Sequence, residues 1–344
     1  MSDPYHIGFT YNIKHQRRNA TQAQMMREAE FDTPETIRAI TDALSSLGYV
    51  VHQIEANELA YEKLRALKKK IHLVFNFAEG LRGRDRESQI PAMLEMIGIP
   101  YTGGTPLSYA LGLNKAKCKE ILAYHNIPTP RWQVMKNGND AVSQNLRFPL
   151  IIKPLAEGSS KGIHSDSLVH NSSDVHKRVR RIRATVEGKA IVEEFLEGRE
   201  FTVGIIGTPF RILPIIEITF GELPQGMPKF DHYEAKWIYD SPDCATDPLV
   251  CPARISAELR KKIASIVLES ARILGIKDWA RFDIRLDKKG VPNILEVNCP
   301  PGILPDPKDN SRFPRAARAG GMSFREMLDT VIKSCARRYG VRMT

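Results

Sequence analysis

The apolar positions first form a short strand, HIGF (residues 6–9), and then, after a polar stretch, one face of a helix on which Ile37, Ile40, Leu44 and Leu47 recur at intervals of three and four. Thr33 supplies an N-cap, Pro34 suits the first helical position and Gly48 stops the run. YVVHQI (49–54) and LVFNF (73–77) read as further strands, and residues 90–97 as a helix closed by Gly98. This alternation predicts an open α/β domain whose strand-end loops face a cleft.

PYTGGT (100–105) reads as strand and turn, and residues 114–125 as a short helix ended by HNIPTP. RWQVM, LIIKPL and AIVEEFL (131–135, 150–155 and 190–196) are the next strands, with a helix over 173–186 between the last two. EFTVGII and RILPIIEI follow (200–206 and 211–218), then an irregular stretch over 220–251 and a strong helix carrying Leu259, Ile263, Ile266, Val267 and Leu274, capped by Gly275.

Two segments break the apolar rhythm with charge. In LIIKPLAEGSSKGI (150–163) a lysine, Lys153, sits in a buried-looking strand, where an ammonium needs an anionic partner or a route to water. A flexible loop, Glu157-Gly158-Ser159-Ser160, follows it; its N–H groups and hydroxyls could fold over phosphates that the lysine neutralises. In ARFDIRLDKKGVPNILEVN (280–298) two strands flank the turn DKKG. If Leu286 faces Val291, then Asp283 faces Ile294 and Arg281 faces Glu296. Parity then places Phe282, Ile284, Leu286, Val291, Leu295 and Val297 on one face, with Arg281, Asp283, Glu296 and Asn298 on the other. Two carboxylates and an amide form an all-oxygen set suited to Mg2+. The same pattern would also suit a solvated face with an Arg281–Glu296 cross-strand ion pair.

Composition narrows the class. The 344 residues are 42% hydrophobic and 26% charged, which excludes disorder, a collagen-like chain and a membrane class. The net charge of +10 is compatible with nucleic acid, anionic substrates or a solvated surface, and no nucleic-acid motif accompanies it. The densest basic run, KRVRRIR (177–183), reads as a surface helix with a thin stripe of Val179 and Ile182. Five cysteines without a C-x-x-C pair argue against a disulfide framework or a zinc site and fit a reducing cytoplasm. No signal peptide or membrane span is visible, so a cytoplasmic location with neither membrane nor nucleic-acid partner is expected. Neither G-x-x-x-x-G-K-[ST] nor G-x-G-x-x-G occurs at the right place, so no P-loop or Rossmann site is indicated.

Six ordered segments together resemble the D-alanine–D-alanine ligase family of ATP-grasp enzymes: IPYTGG (99–104), NKAKCKEILAYHNIPTP (114–130), IIKPLAEGSSKGI, IVEEFLEGREFTVGIIG (191–207), DHYEAKW (231–237) and the hairpin extended to Gly302. The resemblance implies an α/β chain with α+β character in its ATP-binding half. It has an N-terminal domain (1–106) on the substrate side, a central lobe (107–192) and a C-terminal lobe with the metal site (193–344). It implies an ATP-dependent carboxylate–amine ligase that forms an amide through an acyl phosphate. Lys115 and Lys153 would hold ATP phosphates and the loop 157–162 would close over them, with Ser159 near the reaction. Glu193, Glu194, Phe195 and Leu196 would line the adenine slot and Glu200 the ribose. Lys236 would reach the γ-phosphate, Asp283, Glu296 and Asn298 would hold two Mg2+ ions (Mn2+ being an alternative), and Arg281 with the Gly302 backbone would stabilise the tetrahedral intermediate. A homodimer would fit the same likeness.

Departures from the family cluster at the substrates. The family's G-G-x-S-x-E-x-x-V-S, whose glutamate receives the first substrate's amine, is replaced by GFTYNIKHQRR (8–18). H-G-x-x-G-E-D-G becomes AEGLRGRDRES (78–88), the tyrosine after the loop lysine becomes Trp237, and T-S-H-S becomes ILPDPKDNS (303–311). Lys14, His15, Arg17, Arg18, Arg82, Arg84 and Arg86 would make the first subsite basic, implying amino-acid-like or peptide-like substrates with an extra acidic group, unless these charges face water. A divergent D-alanine–D-alanine ligase and a non-catalytic ATP-binding protein are the two alternatives. Trp132, Trp279 and Phe195 are expected to be packing residues, and neither His164 nor His232 is given a catalytic role.

Overall fold

The parallel strands β1 (Tyr5–Tyr11), β2 (Tyr49–Glu55) and β3 (Leu73–Asn76) open the chain in the order β2-β1-β3. They belong to a computed structural model that describes residues 4–15, 28, 30–185, 188–240, 247–309 and 311–343. The central strand is buried on both faces, which is why it reads as a nearly continuous apolar run. Helix α1 (Pro34–Ser45) starts as its sequence predicts, with the Thr33 hydroxyl accepting the Thr36 N–H at 3.2 Å. Its Ile37, Ile40 and Leu44 pack on the face that carries Ile7, Phe9 and Phe75. Helices α2 (Ala60–Leu67) and α3 (Gln89–Ile97) cover Ile54 and Val74 on the other face.

Two helices not foreseen as a pair, α4 (Pro106–Leu113) and α5 (Lys115–Tyr124), lead into a four-stranded antiparallel sheet. It comprises β4 (Trp132–Met135), β5 (Leu150–Pro154), β6 (Leu168–Val169) and β7 (Ala190–Glu194) in the order β4-β7-β5-β6. Helix α6 (Ser172–Thr185) seals one face of this sheet through Val175, Val179 and Ile182. The largest sheet is formed by β8 (Glu200–Ile206), β9 (Arg211–Ile212), β10 (Ile216–Ile218), β11 (Leu249–Val250), β12 (Trp279–Leu286) and β13 (Pro292–Asn298). Its order is β11-β10-β8-β12-β13, with β9 on β8. Helix α7 (Ala257–Ile273) packs on one face together with Tyr109, Cys118 and Leu122 of α4 and α5. The terminal helices α8 (Arg312–Ala319) and α9 (Phe324–Tyr339) share the other core with Trp279 and the first strands.

A buried carboxylate joins the segment after α3 to helix α9. Asp278 accepts the Gly103 N–H at 3.0 Å, the Ser334 hydroxyl at 2.8 Å and Arg338 at 2.7 Å, and Arg338 also donates to the Tyr101 carbonyl at 2.8 Å. Gly103 is required there: its φ is +95°, and a Cβ would lie 2.1 Å from the Tyr109 hydroxyl oxygen.

The β12–β13 hairpin corrects the expected register. Leu286 faces Pro292 and Ile284 faces Ile294, but after an irregularity Asp283 faces Glu296 and Arg281 faces Asn298. Val291 remains in the turn, where its N–H and that of Lys289 bind the Asp287 carboxylate at 2.9 and 2.8 Å. The extra residue behaves as a β-bulge: Ile294 takes the core position and Leu295 turns to the cleft described below.

Candidate active site

The charge in the buried strand has a protein partner. Lys153 Nζ lies 3.0 Å from Glu193 Oε2 on the neighbouring strand, and Lys119 of α5 reaches Oε1 of the same carboxylate at 3.4 Å. All three side chains are buried. Burial alone would raise the Glu193 pKa, but Lys119 and Lys153 outweigh it and hold the carboxyl below its ordinary value. Burial likewise opposes the Lys153 charge, and Glu193 followed by Glu296 keeps it an ammonium with a raised pKa. Glu193 lies on the cleft wall, and its charge is taken up by two lysines.

Lys115, the first residue of α5, donates to the Glu157 carbonyl at 2.5 Å and lies 3.6 Å from Glu296. In the loop that Glu157 opens, Ser159 and Ser160 have φ of 50° and 58°, the left-handed region that non-glycine residues enter at a cost. Contacts from distant parts of the chain hold this conformation. Glu30 accepts the Gly158 N–H at 2.5 Å, Arg86 donates to Glu157 at 3.1 Å and to Glu30 at 2.5 Å, and Trp237 Nε1 donates to the Ser159 carbonyl at 3.1 Å. Arg178 donates to the Gly162 carbonyl at 2.6 Å. It comes from the run read as a solvated face; Val179 and Ile182 are buried as that helix requires, but Arg178 is buried with them.

Between the four-stranded and the largest sheets lies a cleft of about 650 Å³. Lys153, Glu157, Ser160, Glu193, Glu194, Phe195, Leu196, Glu200, Asp283 and Glu296 all line it, with apolar walls from Ile151, Ile163, Phe230 and Leu295. The Glu194 carboxylate accepts the Arg147 N–H at 2.9 Å. The Phe195 ring lies 4.4 Å from the Arg285 guanidinium and in edge contact with Phe230. Glu200 pairs with Arg285 at 2.5 Å, yet burial prevails and pushes its pKa up to about 7. The mixture of charged and apolar lining suits a nucleotide.

Asp283 is the most densely bonded acid. It accepts Arg281 at 3.1 and 2.9 Å, Thr202 at 2.7 Å and Asn298 at 3.2 Å. Burial pushes its pKa up, but Arg281, with Arg312 and Thr202 adding, holds it well below the usual carboxylate range. Arg281 and Asn298 thus reach the cleft through Asp283, and Gly302 and Lys236 lie off its wall. The Gly302 carbonyl accepts the Ser311 hydroxyl at 3.3 Å. Lys236 is half-buried in a turn, Ala235–Tyr239, and burial followed by Arg312 pushes its pKa down to about 8. Asp231, just before that turn, makes a two-pronged pair with Arg312 at 2.6 and 2.7 Å. Sequence reasoning missed Arg312, Asp231, Glu30, Arg178 and Lys119. His164 and His232 flank Glu234 at 2.8 Å each. Trp279 is buried in the core as expected.

The basic first subsite is not supported by the described residues. Arg82 pairs with Glu58 at the surface, Arg84 is exposed, Arg86 is satisfied by Glu30 and Glu157, and His15 pairs with Glu55; Arg17 and Arg18 lie outside the described residues. Half-buried acids stand beside Arg86. Burial followed by Glu30 pushes Glu87 up to about 8, burial followed by Glu87 drives Glu79 well above its ordinary value, and burial pushes Asp32 up to about 7.

Comparisons with known proteins give the family and the fold. A family model described as "D-ala D-ala ligase C-terminus" matches residues 113–333. An uncharacterized protein of Sinorhizobium fredii is 34% identical over 78% of this chain and 75% of its own. A D-alanine–D-alanine ligase of Desulforudis audaxviator is 33% identical over 86% of this chain and 91% of its own. The solved structure of a D-alanine–D-alanine ligase from Bacillus anthracis complexed with ATP superposes with a TM-score of 0.71, covering 98% of this chain and 99% of that one at 22% identity, which establishes the same ATP-grasp fold. Among the described residues no helix is long and apolar enough to cross a membrane.

Proposed function

The chain belongs to the D-alanine–D-alanine ligase family of ATP-dependent, ADP-forming ligases, and from that premise we propose how its residues carry the reaction. ATP phosphorylates the carboxylate of one amino-acid-like substrate. The amine of a second displaces phosphate from the acyl phosphate, leaving an amide, ADP and phosphate. Such chemistry needs positioning and charge neutralisation and no protein nucleophile.

Lys115 and Lys153 neutralise phosphate oxygens, and Glu193 keeps Lys153 charged and in place. The loop over 157–162 covers the phosphates, Ser159 among them. The apolar walls at Ile151, Ile163 and Leu295 take the adenine beside Glu194, Phe195 and Leu196, with the ribose near Glu200. Lys236 serves the terminal phosphate, and Arg281 with the Gly302 N–H stabilises the tetrahedral oxyanion. Asp283, Glu296 and Asn298 fit Mg2+ or Mn2+: the donors are all oxygens, and the bulge sets the two carboxylates directly opposite each other. Bound there, the metal would supply positive charge to the phosphate oxygens. Residues 1–106 form the substrate-side unit and 107–192 and 193–344 the two lobes of the clamp.

The family takes small amino-acid substrates. The observation that carries the reading as a whole is the single cleft on which Lys153, Glu157, Glu200, Asp283 and Glu296 converge. Phosphate release from MgATP across an array of D- and L-amino acids, singly and paired, with mass spectrometry of the products, tests it. A dehydrated conjugate from a pair establishes the ligase and names its substrates; D-alanyl-D-alanine from D-alanine alone identifies the family's namesake reaction. ATP binding without turnover in any mixture overturns the reading.

A further inference from the structure

Helix α8 begins with a residue that its own electrostatics disfavours. Arg312 places a cation in the first turn, where the helix presents partial positive charge and acidic side chains are preferred. The side chain is 4% exposed and makes both of its close bonds to Asp231, a residue of a distant loop. A buried ion pair is a poor source of net stability compared with apolar packing, so its value lies in fixing a particular conformation. Local preference is overridden here at the edge of the active site, where such conflicts are concentrated.

We propose that Arg312 is a positioning residue that, by gripping Asp231, fixes the turn carrying Lys236 and the phosphate loop beneath it against the C-terminal sheet. The inference rests on the assignment of Lys236 to the terminal phosphate. The grip starts from a rigid base: Phe313, the next residue, is buried over Gly204, whose missing Cβ would otherwise stand 3.0 Å from the Phe313 ring. From Asp231 onward the turn is tied to the phosphate loop. The Ser160 hydroxyl donates to the Asp231 carbonyl at 3.4 Å, the Tyr233 N–H to the Ile163 carbonyl at 2.8 Å, and Trp237 Nε1 to the Ser159 carbonyl at 3.1 Å. A connected path of contacts therefore runs from α8 through Arg312 and Asp231 to Lys236 and to Ser159.

Charge adds a second role. Asp231 stands on the wall of the nucleotide cleft and also of a smaller neighbouring cavity, lined by Ile218, Phe220 and Tyr239. Without Arg312 this carboxylate would lose its two-pronged partner and keep only the more distant Lys236 as counter-charge, beside the site of the most highly charged part of the ligand, where like charges in a poorly solvated cleft repel strongly. Removing Arg312 is thus expected to penalise a triphosphate more than a diphosphate.

The test uses calorimetric titration of the full chain with the magnesium complexes of ADP and of a non-hydrolysable ATP analogue, alongside hydrogen exchange of the nucleotide-free protein. Arg312→Met should weaken the triphosphate analogue about tenfold and ADP less than about twofold, and exchange should accelerate over residues 231–240 but not in β12 and β13. Asp231→Asn added to Arg312→Met should restore part of the triphosphate affinity, because the stranded charge is gone. Arg312→Lys, which keeps the charge but loses the fork, should fall between wild type and Arg312→Met. Should Arg312→Met fail to fold, Arg312→Lys and Asp231→Asn give the same readouts. Equal losses for both nucleotides, or unchanged exchange over 231–240, overturn the proposal. If the wild type binds neither nucleotide, the ATP assignment fails, and exchange alone still decides whether Arg312 holds the turn.

Discussion

Lys153 and Glu193 face each other across neighbouring strands with 3.0 Å between ammonium and carboxylate, and Lys119 shares the same carboxylate. Lys153→Met should abolish ATP turnover and, because it removes half of a buried pair while leaving Lys119 in place, cost about 3 kcal/mol of stability. Glu193→Gln should cost more, since it strands two buried ammonium groups. Urea unfolding of both variants checks the order; a neutral Glu193→Gln would show that the lysines are solvated.

The opposed carboxylates make a separate prediction. Asp283→Asn combined with Glu296→Gln should lower phosphate release at least about a hundredfold, the scale of losing a principal electrostatic stabiliser, and remove its dependence on Mg2+ concentration. Release is followed across a magnesium titration. Near-wild-type turnover in the double variant would move the metal elsewhere.

Lys236 sets a pH limit. Burial and Arg312 bring its pKa down to about 8, so if the cation serves the terminal phosphate, kcat/KM for ATP should fall as pH rises through about 8 in the free enzyme. Lys236→Arg, which stays charged, should move that limb to higher pH. The same shift affects stability: a depressed lysine contributes stability present above its unfolded value, near 10.5, and lost as pH falls through about 8. Glu200 acts at lower pH. Its pKa is raised to about 7, so its contribution is complete below its unfolded value near 4.5 and lost as pH rises through about 7.

Gly204 tests the seating of α8. An alanine Cβ would stand 2.9 Å from Leu213 and 3.0 Å from the Phe313 ring, so Gly204→Ala should destabilise the chain by about 1–3 kcal/mol through overpacking. It should also weaken nucleotide binding, although Gly204 does not line the cleft. Thermal unfolding and calorimetry on one sample read both effects, and a fully stable variant would show that Phe313 has room to move.

Features encoded locally were legible in the sequence. Thr33 and Pro34 start a helix wherever they precede an apolar stripe, and the strand with Lys153 and the loop after it are recognisable from residue type alone. Features that depend on distant chain were not. The bulge at Leu295 puts Ile294 in the core and Leu295 on the cleft, a break in parity that strict alternation cannot express. Helix α4, PLSYALGL, is apolar on several faces, with Tyr109 and Leu113 buried and Leu107 exposed, so it shows no stripe. Glu30 meets Gly158, and Asp231 meets Arg312, across long stretches of chain, and only the folded structure brings them together. Arg86 shows the reverse error: a charge counted toward a basic patch is neutralised by acids that sequence order does not place beside it.

The grip of Asp278 on Gly103, Ser334 and Arg338 also bears on the protein's birth. Chains emerge from the ribosome with the N-terminal part first. Here β1 to β3 depend on helix α9 for part of the apolar cover over Phe9 and Phe75. These strands are therefore made well before their cover is complete, and a nascent chain carries incompletely covered aromatic surface until residues 324–339 have been synthesised.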